Sequence, residues 1–180
     1  NRLRGDHYSA GGKDVDLSAI ASLKRDDNGL PIHGLLLRFA AWNVEVLDNG
    51  IAGVIDWADH PELMAAFPFP HRLRVSWAMI ERGLRATIEV TASTCDVPLA
   101  GGWHPYFAPP VNDQRDFSLS GPTLLPIPLD ARCLPTGPPG EAIDESGRLG
   151  DRTFDNLYES PANGFTYSVA GDTSSVQVSA

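Results

Sequence analysis

Residues 73–92, LRVSWAMIERGLRATIEVTA, alternate apolar and polar side chains in two runs separated by Arg82-Gly83. A period of two is typical of a β-strand that buries one face, and a tight turn at Arg82-Gly83 would bring the two runs side by side. Pairing about that turn places Trp77 opposite Ile88 on the apolar face. The stretch therefore predicts an antiparallel hairpin with one buried and one polar face.

A second hairpin is predicted at Asn49-Gly50, because this dipeptide tolerates the positive φ angles of a type I′ turn. The corresponding register places Trp42 opposite Trp57, and Gly53 is expected to weaken the second strand. Further strands are expected at residues 116–120, 124–129, 165–169 and 175–179.

Two short helices complete the expected elements. One lies within Asp14 to Arg25, and the other spans Pro61 to Ala66 with Asp59 as its N-terminal cap. Many short strands without regular crossover helices favour an antiparallel all-β sandwich or barrel over a parallel α/β sheet. With 180 residues, of which 42% are hydrophobic, the chain is expected to form a single domain, residues 1–180.

The charge and cysteine content exclude several partners. A formal net charge of -9 argues against nucleic acid and against an anionic membrane, since both repel an acidic protein that lacks a basic patch. No apolar run approaches the roughly 20 residues of a membrane span. Cys95 and Cys133 are too few for a disulfide framework or a Cys-based zinc cluster. We therefore expect a soluble, cytoplasmic protein without a Cys-based zinc cluster.

Common catalytic and ligand-binding signatures are incomplete or missing. Gly12-Lys13 lacks the earlier glycine and the following Ser or Thr of a phosphate-binding loop. The run Asp-Asp-Asn-Gly at 26–29 resembles a calcium loop, but Lys24 and Leu35 stand at its first and last ligand positions. The sequence contains no Gly-x-Ser-x-Gly, His-Glu-x-x-His or Gly-x-Gly-x-x-Gly motif. Proton transfer by histidines and carboxylates remains as the chemistry that the residues suit.

Among the five histidines, His104 has the most unusual setting. It follows Gly101-Gly102 and lies within the aromatic run Trp103 to Phe107. Glycines permit close approach of the backbone, and aromatic faces can support the C–H face of a sugar. His33, which precedes Gly34, has a milder form of this setting. Spacing alone fits a structural loop histidine packed near aromatic residues equally well at both positions.

Five short motifs follow one another along the chain: Asn1-Arg2, Pro31-Ile32-His33-Gly34, Phe67-Pro68-Phe69-Pro70-His71-Arg72-Leu73, Trp103-His104-Pro105-Tyr106-Phe107 and Phe154-Asp155-Asn156-Leu157-Tyr158. Their order and separations resemble the aldose 1-epimerase (galactose mutarotase) family over nearly the whole chain, and the His-Pro-Tyr-Phe run is the most specific part. The resemblance implies a galactose mutarotase-like antiparallel β-sandwich (supersandwich), here incomplete, whose open cleft binds a free sugar.

The resemblance also implies an isomerase that interconverts the α and β anomers of an aldohexose such as galactose or glucose, without metal or cofactor. His104 matches the general acid that protonates the ring oxygen, and His33 matches the second histidine of the cleft. Arg2 and Asp155 match residues that bind the sugar hydroxyls. The family's general base is a Glu in a later strand, so its equivalent is expected beyond Ala180, and the family's N-terminal strands are expected ahead of the first residue.

Two alternatives to this enzyme stay open. A sugar-binding or sugar-sensing domain of the same fold would keep the cleft and lack the base. A relative that acts on hexose 6-phosphates would need several convergent Arg or Lys side chains, for which Arg38, Arg72 and Arg74 are the candidates. The preferred aldose and the oligomeric state stay open as well.

Overall fold

The computed structural model describes residues 2–107, 114–159, 161, 163–172 and 174–180. The chain divides into two compact units, Asn1–Trp103 and His104–Ala180. The expectation that residues 1–180 form a single domain stays a prediction. Among the described residues, no helix has the length and apolar character needed to cross a membrane.

The first unit is built on two antiparallel sheets. Strands β1 and β2 form the smaller one, and β3 to β6 form a four-stranded sheet in the order β3-β4-β5-β6, so that each strand pairs with the next along the chain. A short 3-10 turn, Trp57–Asp59, precedes the helix α1. The bounds are β1 His7–Ala10, β2 Lys13–Asp16, β3 Asn43–Leu47, β4 Gly50–Asp56, α1 Pro61–Ala66, β5 His71–Ile80 and β6 Gly83–Ala92.

The hairpin predicted at residues 73–92 is confirmed as β5 and β6, but the predicted register is wrong. The turn consists of Glu81-Arg82, and Trp77 lies opposite Ala86 instead of Ile88. The displacement amounts to two residues on the partner strand. Because side chains alternate with a period of two, the same residues still share the apolar face.

The second hairpin shows the same displacement. Asp48-Asn49 joins β3 to β4, and Gly50 is the first residue of β4. Trp57 lies in the 3-10 turn and not opposite Trp42. Gly53 lies against the ring of Trp42, where an added Cβ would come within 2.8 Å of Cε3. The missing side chain therefore makes room for an indole.

One of the two expected helices is confirmed. Helix α1 spans Pro61–Ala66 as predicted, with His60 instead of Asp59 at its N-cap. The helix expected within residues 14–25 is wrong, since this segment continues strand β2 and then turns. The Asp16 carboxylate accepts the Ser18 N–H over 2.8 Å, and such a local turn competes with helix formation.

The core of the first unit forms where α1 and the 3-10 turn pack on the apolar face of the four-stranded sheet. Its buried residues are Ile55, Trp57, Leu63, Leu73 and Val75. A second cluster of Val15, Leu17 and Ala66 joins the β1-β2 hairpin to α1. The Tyr8 hydroxyl donates to the Ala66 carbonyl over 2.7 Å at this junction.

The second unit is also made of antiparallel strands. Strands β12, β11, β7 and β9 form one sheet in that order, and β10 pairs with β8. The four strands expected here are present. The strand expected at residues 175–179 has those bounds, and the other three have shortened or shifted ends, the first of them because Gln114–Asp116 forms a 3-10 turn before β7. The all-β, antiparallel prediction is confirmed. The bounds are β7 Ser118–Ser120, β8 Leu125–Ile127, β9 Gly147–Arg148, β10 Leu157–Glu159, β11 Thr166–Ala170 and β12 Ser175–Ser179.

Candidate functional site

The first unit brings two of the predicted site residues together. Arg2 forms an isolated antiparallel bridge with Ile32, the residue that precedes His33. The Arg2 side chain is partly buried, and His33 is exposed. The main chains of Arg2 and His33 therefore lie at neighbouring positions of two paired segments. Asn1, the other half of the Asn1-Arg2 motif, lies outside the described residues.

His33 has an unusual backbone conformation. Its φ angle is 67°, and that of Gly34 is also 67°. The left-handed region costs a residue with a Cβ roughly 1–2 kcal/mol, whereas glycine adopts it without that penalty. Strained residues of this kind concentrate at ligand-binding and catalytic sites. The conformation supports a functional role for His33.

Asp26 was given no role on sequence grounds, yet it contacts Arg2. Its Oδ2 accepts a hydrogen bond from Arg2 Nε at 2.6 Å, and its Oδ1 accepts the N–H groups of Asn28 and Leu30 at 2.9 and 2.8 Å. Burial by itself raises the pKa of Asp26, but the bonds from Leu30, Arg2 and Asn28 outweigh it and hold the pKa below its ordinary value. The run Asp-Asp-Asn-Gly at 26–29, which resembled a calcium loop, is a sequence pattern typical of this turn.

His104 begins the second unit and is exposed. Its ring stacks on that of Tyr106, with ring centres 5.0 Å apart and an angle of 22° between the planes. Tyr106 is 88% exposed. Trp103 belongs to the first unit, where its ring meets that of Trp77 edge to face at 5.1 Å. The aromatic setting predicted for His104 is therefore provided by the neighbouring tyrosine.

Asp155, the fourth predicted site residue, is exposed in the second unit. Its N–H is bonded to the Asn156 side-chain oxygen over 3.2 Å. Phe154 precedes Asp155, and the guanidinium of Arg152 lies over its ring, 4.7 Å from the ring centre. This cation–π contact links the Asp155 motif to the arginine three positions earlier.

Glu145 is a partly buried carboxylate of the second unit with two side-chain partners. It accepts the Tyr158 hydroxyl at 2.9 Å and forms an ion pair with Arg152, whose Nη1 also donates to the Glu145 carbonyl at 3.1 Å. Burial and the bond to Glu145 raise the pKa of Tyr158. A carboxylate held in this way fixes the chain around the Asp155 motif and is poorly placed to remove a substrate proton.

His71 is the buried histidine of the Phe67–Leu73 motif. It is 7% exposed, its ring stacks on Trp57 at 4.6 Å, and its Nδ1 lies 2.6 Å from the Phe69 carbonyl oxygen. This contact requires the Nδ1–H tautomer, because a carbonyl oxygen accepts only. His71 therefore orders the core beneath the motif, and no open face of its ring is presented to a ligand within the first unit.

Two of the three arginines considered for a phosphate site, Arg72 and Arg74, are held by carboxylates. Arg74 donates to Glu89 at 2.9 Å and to Glu45 at 3.3 Å, and the bond to Glu89 raises its pKa. Arg72 lies 3.5 Å from Asp56 and 3.8 Å from Glu45. A phosphate at this face would meet three carboxylates, and their repulsion offsets the attraction of the two guanidiniums.

Two further observations bear on ligands. Among the described residues, no group of three or more His, Cys, Asp or Glu side chains is arranged to hold a metal ion. An open cleft of about 530 Å³ lies in the second unit between the start of β11 and the end of β12. Arg2, His33, His104 and Asp155 do not line it.

Comparison with known proteins gives a consistent result. The family model described as aldose 1-epimerase matches residues 1–178. The chain is similar in structure to a galactose mutarotase related enzyme from Lactobacillus acidophilus, with 18% sequence identity and a TM-score of 0.62. The match covers 97% of this chain and 57% of the Lactobacillus chain. No curated protein matches the sequence. The likeness confirms the galactose mutarotase-like fold expected from the motifs.

Proposed function

The chain belongs to the aldose 1-epimerase family, and we propose that the protein interconverts the α and β anomers of a free aldohexose such as galactose or glucose. The observation that carries the proposal is the backbone pairing of Arg2 with Ile32, which brings the main chain of Arg2 next to the segment that holds His33. Both residues match substrate-contacting positions of the family. Because the chain spans 57% of the related structure, the activity of the whole protein is part of the proposal.

In the proposed reaction His104 is the general acid. It gives a proton to the ring oxygen while a carboxylate base takes the proton of the C1 hydroxyl, and the bond between C1 and the ring oxygen breaks. The aldehyde then turns about the C1–C2 bond. The ring oxygen attacks either face of C1, His104 recovers its proton, and the base returns the other to the C1 oxygen. Protons balance and nothing is oxidised or reduced.

The other three residues hold the sugar. Arg2 offers directed N–H donors to vicinal hydroxyls, Asp155 offers acceptors, and His33 polarises a sugar oxygen. We do not assign the base to Glu145, because its carboxylate is already engaged by Arg152 and Tyr158. An imidazole can give and recover a proton near neutral pH, so this chemistry needs no cofactor.

A neutral sugar fits the charges better than a hexose 6-phosphate. The phosphate alternative depended on Arg38, Arg72 and Arg74, and the last two form ion pairs with Glu45, Asp56 and Glu89. Removing a guanidinium from such a network to bind phosphate would leave its carboxylates unpaired. The net charge of -9 also opposes an anionic substrate.

Polarimetry of freshly dissolved α-galactose or α-glucose tests the proposal on the full-length gene product. The wild type should accelerate mutarotation, and His104→Asn should reduce that acceleration by about 100-fold or more, the range of general acid catalysis. His7→Asn is the matched control, because the His7 side chain is 77% exposed in β1 and has no place in the mechanism. It should retain the wild-type rate.

Two results would contradict the proposal, and a third would show that the variants are misfolded. An unchanged rate in His104→Asn would remove His104 from the mechanism. Equal losses in both histidine variants would point to damaged folding. A wild type that binds the sugar in calorimetry without accelerating mutarotation would instead be a sugar-binding protein.

A further inference from the structure

Within the part of the chain that the structure describes, the same five-residue turn occurs at residues 26–30 and at residues 130–134. In each turn one carboxylate oxygen of the first residue, Asp26 or Asp130, accepts the N–H groups of the third and fifth residues at 2.8–3.0 Å. The N–H of the aspartate donates to the carbonyl of the fifth residue, and the fourth residue has a left-handed φ angle. The two aspartates thus perform the same local task.

The turns differ in what the second carboxylate oxygen binds. Oδ2 of Asp130 accepts from Arg132, an arginine of the same turn, at 3.0 Å. Oδ2 of Asp26 accepts from Nε of Arg2 at 2.6 Å, and the two residues are 24 positions apart. The Asp26 side chain is 11% exposed, so this bond is shielded from water. Of these two turns, only the first is hydrogen-bonded through Oδ2 of its aspartate to a residue of the proposed site, Arg2.

The backbone around this contact is held by a continuous set of hydrogen bonds. The Leu3 N–H donates to the Pro31 carbonyl at 2.9 Å, and the Ile32 N–H donates to the Lys24 carbonyl at 2.9 Å. These bonds fix where the Arg2 side chain begins, but they do not fix its flexible stem. The bond from Nε to Asp26 sets the plane of the Arg2 guanidinium.

We propose that Asp26 is a positioning residue, which holds the guanidinium of Arg2 in the orientation that engages the hydroxyls of the sugar. The inference rests on the proposed function, because it takes Arg2 as a substrate contact. Asp26 does not touch the sugar in this scheme. It accepts the Nε donor, and the Nη1 and Nη2 groups carry the donors that face the substrate.

Asp26→Asn separates the two tasks of the carboxylate. Asparagine keeps one side-chain oxygen, which can still accept the N–H groups of the turn, while its amide would place a donor opposite Nε of Arg2. We expect the KM for galactose in mutarotation to rise roughly tenfold, the effect of losing a charged hydrogen bond, with a smaller change in kcat.

Asp130→Asn is the matched control, because it makes the same chemical change in the same type of turn. It should lower the melting temperature comparably and leave the KM within about twofold of the wild type. A cycle with Arg2→Gln completes the test. If Asp26 acts through Arg2, adding Asp26→Asn to Arg2→Gln should change the KM by less than about twofold.

The inference is overturned if Asp26→Asn and Asp130→Asn change the KM equally, or if the full effect of Asp26→Asn persists without the arginine. Should Asp26→Asn fail to fold, Arg2→Lys tests the same contact from the other side, since it keeps the charge, removes Nε and leaves the turn intact. Because lysine also lacks the Nη donors, the KM should rise at least as much as in Asp26→Asn, and an unchanged KM contradicts the inference.

The proposed function fails by a different result. If the wild type binds galactose without accelerating mutarotation, the same variants are compared by their dissociation constants for galactose, measured by calorimetry. The expected fold-changes are the same as those given for the KM. A wild type that neither binds nor accelerates would overturn the proposed function, and the positioning role with it.

Discussion

Replacing Gly53 by alanine should destabilise the first unit, although alanine is a small change in an antiparallel strand. An added Cβ would lie 2.8 Å from Cε3 and 3.4 Å from Cδ2 of Trp42, and the first distance is shorter than any normal contact. The indole cannot withdraw freely, because its Nε1 donates to the Phe39 carbonyl at 3.0 Å and its ring packs on the core. Overpacking of this kind costs about 1–3 kcal/mol.

Gly83→Ala is the matched control. Gly83 begins β6 with an ordinary φ angle, and an added Cβ would meet only Ile80, at 4.0 Å. Alanine restricts the unfolded chain, so this variant should be neutral or more stable by about 0.4–1 kcal/mol. The same substitution is therefore expected to have opposite signs at two positions of one sheet.

Urea denaturation followed by tryptophan fluorescence measures both variants. All four tryptophans lie between Asn1 and Trp103, so the signal reports on the first unit. Gly53→Ala should lower the midpoint without changing the slope. The role assigned to the Trp42 contact is wrong if Gly53→Ala is as stable as the wild type. It is also wrong if Gly83→Ala lowers the free energy of unfolding as much as Gly53→Ala does.

Two further predictions concern the core and the acid sensitivity of the first unit. Ile55 is completely buried, so Ile55→Ala should cost about 2–5 kcal/mol in the same urea experiment, and a loss below about 1 kcal/mol would contradict its place in the core. The pKa of Asp26 is lowered in the folded protein, so its stabilising effect is present above the unfolded value, about 3.9, and is lost as the pH falls through the folded value. In Asp26→Asn the free energy of unfolding should therefore change less with pH below about 4 than in the wild type. Equal slopes of this free energy against pH in the two proteins would refute the prediction.

The sequence was sufficient to predict the hairpins, and the register of the β3-β4 hairpin was missed for a tertiary reason. Asn49-Gly50 is a favourable turn dipeptide, yet the turn consists of Asp48-Asn49. Gly50 lies so close to β5 that an added Cβ would be 2.0 Å from the Trp77 carbonyl oxygen. The glycine is needed for the approach of a third strand, and a local pattern of turn residues contains no information about that strand.

The site was predictable only in part. His33 and His104 were found through short motifs, and neither charge nor spacing distinguished them from ordinary loop histidines. Asp26 was missed because its partner Arg2 lies 24 residues away, and the pairing arises from the bridge between Arg2 and Ile32. The roles of His33, His104, Arg2 and Asp155 in catalysis stay predictions until the variants are measured.

The two related turns show why a local motif did not reveal the positioning contact. Residues 26–31 read DDNGLP and residues 130–135 read DARCLP, and both aspartates bond the same backbone groups. In the second turn Arg132 neutralises Asp130 from two residues away, so both partners of the ion pair lie within the turn. In the first, Asn28 occupies that position and cannot neutralise the charge, which leaves the carboxylate to pair with an arginine from another segment. The absence of an arginine inside the turn is therefore what leaves the Asp26 carboxylate available to bind Arg2.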